Sequence, residues 1–258
     1  MANFVTAEEA VSKIGDGAVI ATSGFVGAIV AEHVLKALQK SFLEKGTPRD
    51  LTVVFAAGQG DGKEGGLNHF GEEGLLRCII GGHYNLSPRV GKLAMENKIE
   101  AYNFPQGTMS QWFRDIAGRR PGTITKVGLD TFVDPRIEGG RLNEKSPAGR
   151  VEVINLNGEE WLWYKPCKLD VAIIRGTTAD EDGNILMNEE IGTGEALAIA
   201  QAVRACGGIV IVQVKKIAKR ETLDPKDVKI PGVLVDYVVK SPAEDHLMTW
   251  DYEFNPAF

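Results

Sequence analysis

The 258-residue sequence is poor in cysteine: Cys78, Cys167 and Cys206 lie far apart, and no Cys-x-x-Cys pair occurs. An odd, scattered set of thiols argues against a disulfide framework and against a zinc ribbon. The four histidines, His33, His69, His83 and His246, include no pair at helical metal-ligand spacing. Apolar runs are short; Ile209 to Val212 falls far below the ~20 residues that a membrane span needs. The start, Met1-Ala2-Asn3-Phe4 and then Thr6-Ala7-Glu8-Glu9, lacks the basic stretch and apolar run of a signal peptide. No Lys/Arg block is present, and the net charge of −6 comes from interspersed acids and bases. These absences exclude an obvious nucleic-acid groove or membrane-surface patch. The expectation is a soluble cytoplasmic protein.

What is abundant is glycine, with thirty residues against eleven prolines and no Gly-X-Y period. That composition implies many tight turns between short elements. A chain of this length can bury about 75% of its unfolded surface and needs no staple. Short apolar strands alternate with amphipathic helices. Ala18–Thr22, Leu51–Ala57, Arg77–Ile80, Ile99–Asn103, Asp170–Arg175, Gly208–Val214 and Val233–Val239 read as strands. Thr6 starts a first helix with a capping-box pattern; others are expected around Val30–Leu43, Ser87–Asn97, Thr108–Ala117 and Glu195–Ala205. Asn157-Gly158, between Val151–Leu156 and Glu160–Tyr164, is the strongest hairpin signal. This alternation predicts an α/β fold: an open, mostly parallel sheet with helices on both faces. One domain is expected over residues 1–258, with an irregular excursion around 119–150 and a linker-like tail over 240–258.

Ligands of open α/β sheets sit outside the carboxyl ends of the strands. Here those ends are rich in glycine: Ser23-Gly24-Phe25-Val26-Gly27, Ala57-Gly58-Gln59-Gly60-Asp61-Gly62 and Phe104-Pro105-Gln106-Gly107. Glycine permits close backbone approach, although any one of these loops could simply end a strand. Gly60 to Gly65 formally matches G-x-G-x-x-G, but the glycines that follow make a poor helix opening, and a dinucleotide site is disfavoured. His33 is expected at the surface or in packing, and His83 as a turn residue that could line a cleft. Glu189-Glu190 reads as solvated charge with side chains pointing apart, and Arg119-Arg120 as a solvated turn or a phosphate contact. Gln106 follows a strand behind Pro105 and opens a helix, where its amide could donate to a developing oxyanion.

Several ordered segments carry a resemblance. They are Asp16-Gly17-Ala18-Val19-Ile20 through Gly24-Phe25-Val26-Gly27, and Ile99-Glu100-Ala101-Tyr102-Asn103-Phe104-Pro105-Gln106-Gly107-Thr108. Further on come Leu129-Asp130-Thr131-Phe132-Val133-Asp134-Pro135-Arg136, Arg175-Gly176-Thr177-Thr178-Ala179-Asp180 through Asn184, and Val228-Lys229-Ile230-Pro231-Gly232. With these, from Thr6 to about Asn255, the chain resembles the amino-terminal (alpha) half of family I CoA-transferases. It is most similar to those acting on propionate and other short-chain acids, and more distantly to the succinyl-CoA:3-ketoacid enzymes.

The resemblance implies transfer of CoA between an acyl-CoA and a carboxylate, through an acyl-glutamyl anhydride and a glutamyl-CoA thioester. It places an oxyanion donor at Gln106 and substrate-binding loops at Gly24, Phe25, Val26 and Gly27 and at Gly58, Gln59 and Gly60. It implies no metal or redox cofactor, coenzyme A being a substrate. The family's nucleophilic glutamate belongs to a carboxyl-terminal (beta) half; neither Glu159 nor Glu195 sits in its sequence context. Expected partners are therefore acyl-CoA, short-chain carboxylates and a beta half within a higher oligomer, with no nucleic acid and no membrane. The alternative is a non-catalytic CoA- or sugar-phosphate-binding domain of related fold.

Overall fold

The computed structural model describes residues 2–257. In chain order the first half holds β1 (Asn3–Val5), α1 (Ala7–Val11), β2 (Val19–Thr22), α2 (Glu32–Lys45), β3 (Leu51–Val54), β4 (Leu76–Gly81), α3 (Pro88–Met95), β5 (Glu100–Asn103), α4 (Gln106–Ala117) and β6 (Thr123–Thr125). The second half holds β7 (Val151–Leu156), β8 (Glu159–Tyr164), β9 (Val171–Arg175), β10 (Thr178–Asp180), β11 (Ile185–Leu186), α5 (Ala196–Ala205), β12 (Ile209–Val214), β13 (Lys216–Ala218) and β14 (Tyr237–Lys240).

Eight strands form the main sheet in the order β1-β14-β12-β9-β2-β3-β4-β5, and every neighbouring pair is parallel. Each central strand is apolar on both faces, as a sheet covered twice requires. On β9, Val171 and Ile173 face the layer of α1, α2 and α3, whereas Ala172 and Ile174 face that of α4 and α5. Val34, Leu35 and Leu38 of α2 supply the first layer; Trp112 and Phe113 of α4 and Ile199 and Val203 of α5 supply the second.

The capping box is present: Thr6 Oγ1 accepts from Glu9 N–H at 3.1 Å, and Glu9 Oε2 accepts from Thr6 N–H at 2.8 Å. Asn157 and Gly158, both at positive φ, turn β7 into β8. With β6 this hairpin makes a separate antiparallel sheet beside α4. The irregular excursion runs along the β5 edge. Leu142 N–H donates to Ala101 O and Asn103 N–H to Gly140 O. Pairing the edge backbone in this way blocks strand addition there.

From β2 the chain proceeds through α2 to β3 on one side, and from β9 through α5 to β12 on the other. The order therefore reverses between β2 and β9, which is the position where open sheets form a crevice at their carboxyl end.

The segment expected as a linker-like tail closes over that crevice from Pro242 to Trp250. His246 and Met248 are buried, and Gln213 Nε2 donates to Asp245 O at 2.9 Å. Gln213 Oε1 accepts from the His33 and Val34 amides at 3.0 and 3.3 Å, capping the start of α2. Thus one β12 side chain ties both the tail and a helix start to the sheet. No described helix is long and apolar enough to cross a membrane.

Candidate functional site

The ends of β2, β3, β4 and β5 stand side by side, and the loops that leave them touch in sequence. Val26 N–H donates to Gly58 O at 2.8 Å, and Gly60 N–H donates to Val26 O at 2.9 Å, so the first two loops are bonded together. A β-carbon built on Gly58 would stand 2.8 Å from His83 Cδ2, which brings in the β4 end. One on Gly82 would stand 3.2 Å from Gln106 Cβ, which brings in the β5 end. Glycine is needed at these positions because adjacent loops approach more closely than side chains allow.

Gln106 is the first residue of α4, with Pro105 at the cap position. Proline has no side-chain acceptor for the first amides, and the first intrahelical bond here is Met109 N–H to Pro105 O. The α4 start is therefore uncapped and positively polarised. The Gln106 side chain is exposed, and no described group hydrogen-bonds its amide. A free amide donor beside an uncapped helix start favours any negative charge that develops there.

Phe25 and Val26 project outward, 52% and 42% exposed, whereas Gly24 and Gly27 are buried. Gln59 differs from its expected role. Its side chain is completely buried, and Nε2 donates to Thr22 O at 3.2 Å. It braces the β2 end from below and presents no group outward. Gly58 and Gly60 are also buried, so this loop supports the site from beneath.

Across the β2–β9 crevice lies a buried ionic cluster. Arg175 Nη2 stands 3.0 Å from Glu190 Oε2, and His246 Nε2 stands 3.4 Å from Glu190 Oε1. Arg175 Nη1 donates to Val30 O at 3.2 Å. Burial works against the Glu190 carboxylate, but the adjacent His246 imidazole and the charge of Arg175 outweigh it and hold its pKa below the usual value. Burial, aided by the nearby Arg175 charge, depresses His246 despite Glu190. The two carboxylates point apart as expected, but neither is freely solvated: Glu189 has 19% of its side chain exposed and is ion-paired with Lys215 and Lys216. Glu190 turns inward, with 1% of its side chain exposed, because Thr177 and Arg175 offer it partners there.

The other sequence candidates have structural partners. His33 Nδ1 pairs with Asp245 at 2.9 Å, and His69 bridges Glu32 and Gln39 at 2.7 and 2.6 Å. Arg120 pairs with Asp115 at 3.1 Å, Glu159 with Lys126 at 3.2 Å, and Glu195 accepts from Ser110 Oγ at 2.6 Å. His83 is exposed and lines a groove of about 630 Å³ with Asn85, Asn103, Met95 and Leu142. Gly60 to Gly65 opens no α-helix; Asp61 Oδ1 accepts from the Lys63 and Gly65 amides instead. Among the described residues no three acidic, cysteine or histidine side chains gather as a metal site.

Sequence reasoning missed Arg175, Gln213 and Trp250. Trp250 lies over the first two loops, and its Nε1–H donates to Gly60 O at 3.0 Å. No local pattern marks it; the glycines at 27 and 65 that make room for its ring are the only trace in sequence.

Comparison with known proteins gives the following. Residues 4–241 match the model of the family described as Coenzyme A transferase. The caffeate CoA-transferase of Acetobacterium woodii is 46% identical over 261 residues, covering 100% of this chain and 49% of that protein. The acetate CoA-transferase YdiF of Escherichia coli K12 is 41% identical over 244 residues, covering 94% of this chain and 46% of its own length. A crystal structure of the acyl-CoA transferase YdiF from E. coli O157:H7, as a thioester complex with CoA, superimposes with a TM-score of 0.92 at 41% identity. The match covers 94% of this chain and 48% of that one. The chain thus spans about half the length of these relatives.

Proposed function

The chain belongs to the Coenzyme A transferase family, and from that premise we propose that it is the alpha half of a short-chain acyl-CoA:carboxylate CoA-transferase. Its four strand-end loops form one wall of the acyl-transfer site. A complementary beta half supplies the nucleophilic glutamate and most of the CoA contacts.

The observation that carries this reading is the unpartnered, exposed Gln106 amide at the uncapped start of α4. In the proposed reaction the glutamate carboxylate adds to the thioester carbonyl, and the tetrahedral oxyanion accepts a hydrogen bond from Gln106. The C–S bond then breaks, CoA leaves as the thiolate, and an acyl-glutamyl anhydride remains. Attack of that thiolate on the glutamyl carbonyl releases the first carboxylate and leaves glutamyl-CoA; the acceptor carboxylate then runs the two steps in reverse. Every bond broken is replaced by one of similar kind, so no redox step enters.

A nucleophile from outside this chain is consistent with the state of its own candidates. Glu189 and Glu190 are ion-paired, and Glu159 and Glu195 are engaged elsewhere. The exposed Phe25 and Val26 give the face toward the beta half its apolar character. We further propose acyl-CoA and short-chain carboxylates as substrates, and an assembly containing both halves more than once.

The test is exchange between acetyl-CoA and propionate, by the chain alone and by the chain with its native complementary half. Turnover is expected only with both, and hydroxylamine should trap a glutamyl thioester outside residues 1–258. Robust turnover by the lone chain, with the adduct on Glu189, Glu190 or another of its glutamates, would overturn the two-half reading.

A further inference from the structure

The crevice at the β2–β9 reversal, where a ligand would ordinarily enter such a sheet, is occupied by the chain's own segment 242–250. Its end residue, Trp250, fits a notch between two glycines. A β-carbon on Gly27 would stand 1.9 Å from Trp250 Cδ1, and one on Gly65 would stand 2.7 Å from Cη2. The indole N–H donates to Gly60 O at 3.0 Å. A single side chain therefore touches the loop after β2, the loop after β3 and the turn beyond it.

The loop it holds is strained. Val26 and Ile29 adopt φ of 54° and 61°, left-handed backbone that β-branched residues avoid. Such conformations persist only where surrounding contacts over-determine them. The contacts here are the reciprocal Phe25–Ala28 backbone pair that closes the turn and the two backbone bonds that join Val26 to Gly58 and Gly60. Gly60 is in turn the residue whose carbonyl Trp250 clamps. The clamp has a fixed base: His246 is buried beside Glu190, and Asp245 is bonded by His33 and Gln213.

We propose that Trp250 is a positioning residue, which holds the Gly24–Gly27 loop, through the Gly58–Gly60 loop that braces it from beneath, in the one conformation that can receive substrate. It touches no reacting atom; it acts through Gly60 and Val26. The inference rests on the reading of these loops as the acyl-transfer wall, and its test separates the two.

In the assembled enzyme, Trp250→Ala should raise hydrogen exchange at the Val26 and Gly60 amides about tenfold or more, while Ile173 in β9 keeps its protection. The same variant should lower kcat/KM for acyl-CoA about tenfold or more. Trp250→Phe, which keeps an aromatic ring in the notch but loses the donor, should recover most of that loss. Unchanged exchange at Val26 and Gly60 in Trp250→Ala would overturn the proposal. So would raised exchange with kcat/KM unaltered. If exchange rises but the wild-type assembly turns over no acyl-CoA, the clamp stands and the CoA-transferase reading falls.

Discussion

The α-carbon of Gly24 faces the Gln59 side chain so closely that a β-carbon on it would lie 2.7 Å from Gln59 Cγ and 2.8 Å from Cδ and Oε1. Gln59 is fixed in that place by its bond to Thr22 O. The glycine is therefore required by a buried neighbour, and the turn itself is negotiated at Val26. Gly24→Ala should cost about 1–3 kcal/mol, the usual scale for overpacking. Gln59→Ala in the same chain should recover part of it, giving a favourable coupling in a double-mutant cycle read by urea unfolding. Strict additivity would mean that the two residues do not press on one another.

Gln106 offers the opposite case. Because its side chain is exposed and unbonded, Gln106→Ala should leave the melting temperature within a degree or so. In the assembled enzyme it should lower kcat ~10²-fold or more, as loss of one oxyanion donor does. Activity within twofold of wild type would remove Gln106 from the reaction.

Glu190 should matter for folding rather than chemistry. Its carboxylate and the Arg175 guanidinium have 1% and 3% of their side chains exposed. Glu190→Ala would leave Arg175 charged and buried with its ion-pair partner gone, a change that typically costs about 3–5 kcal/mol. Denaturant unfolding of the variant measures this directly; a loss below 1 kcal/mol would show that water or another group reaches Arg175.

The main sheet was legible because its central strands are long enough, and apolar enough, to stand out between glycine-rich loops. Asn157-Gly158 likewise announced the β7–β8 turn through its φ preference. The three-residue strands β1, β6, β10 and β13 escaped notice because no periodicity can be seen in so few residues. The site was half visible. The exposed position of Gln106 at a helix start could be read because Pro105 and Gly107 bracket it at a strand-to-helix junction. Trp250 could not, since it meets Gly60 at a separation of 190 residues and nothing local encodes that contact. Some of the segments most telling of family proved structural. Asp134 takes a two-pronged bond from Arg136, and Asp180, Asn184 and Gly232 staple one loop to another.

The Glu190–His246 pair also sets how stability depends on pH. His246 has its folded pKa depressed below 6.5, chiefly by burial. The unfolded chain therefore binds the proton more tightly than the folded one, and protonation favours unfolding. Glu190 has its folded pKa lowered below 4.5, because His246 and Arg175 outweigh the cost of burial. Its contribution is fully present above 4.5 and is lost as pH falls through the folded value. Both effects carry one sign: stability rises with pH through each window and is flat, for these two groups, above about pH 7. Urea unfolding from pH 7.5 to 4 should therefore show a midpoint that falls first below about pH 6.5 and again below about pH 4.5. His246→Gln should remove the first decline and keep the second. A midpoint independent of pH between 6.5 and 5 in the wild type would contradict a neutral buried His246, and a decline of equal size in His246→Gln would assign it to another group.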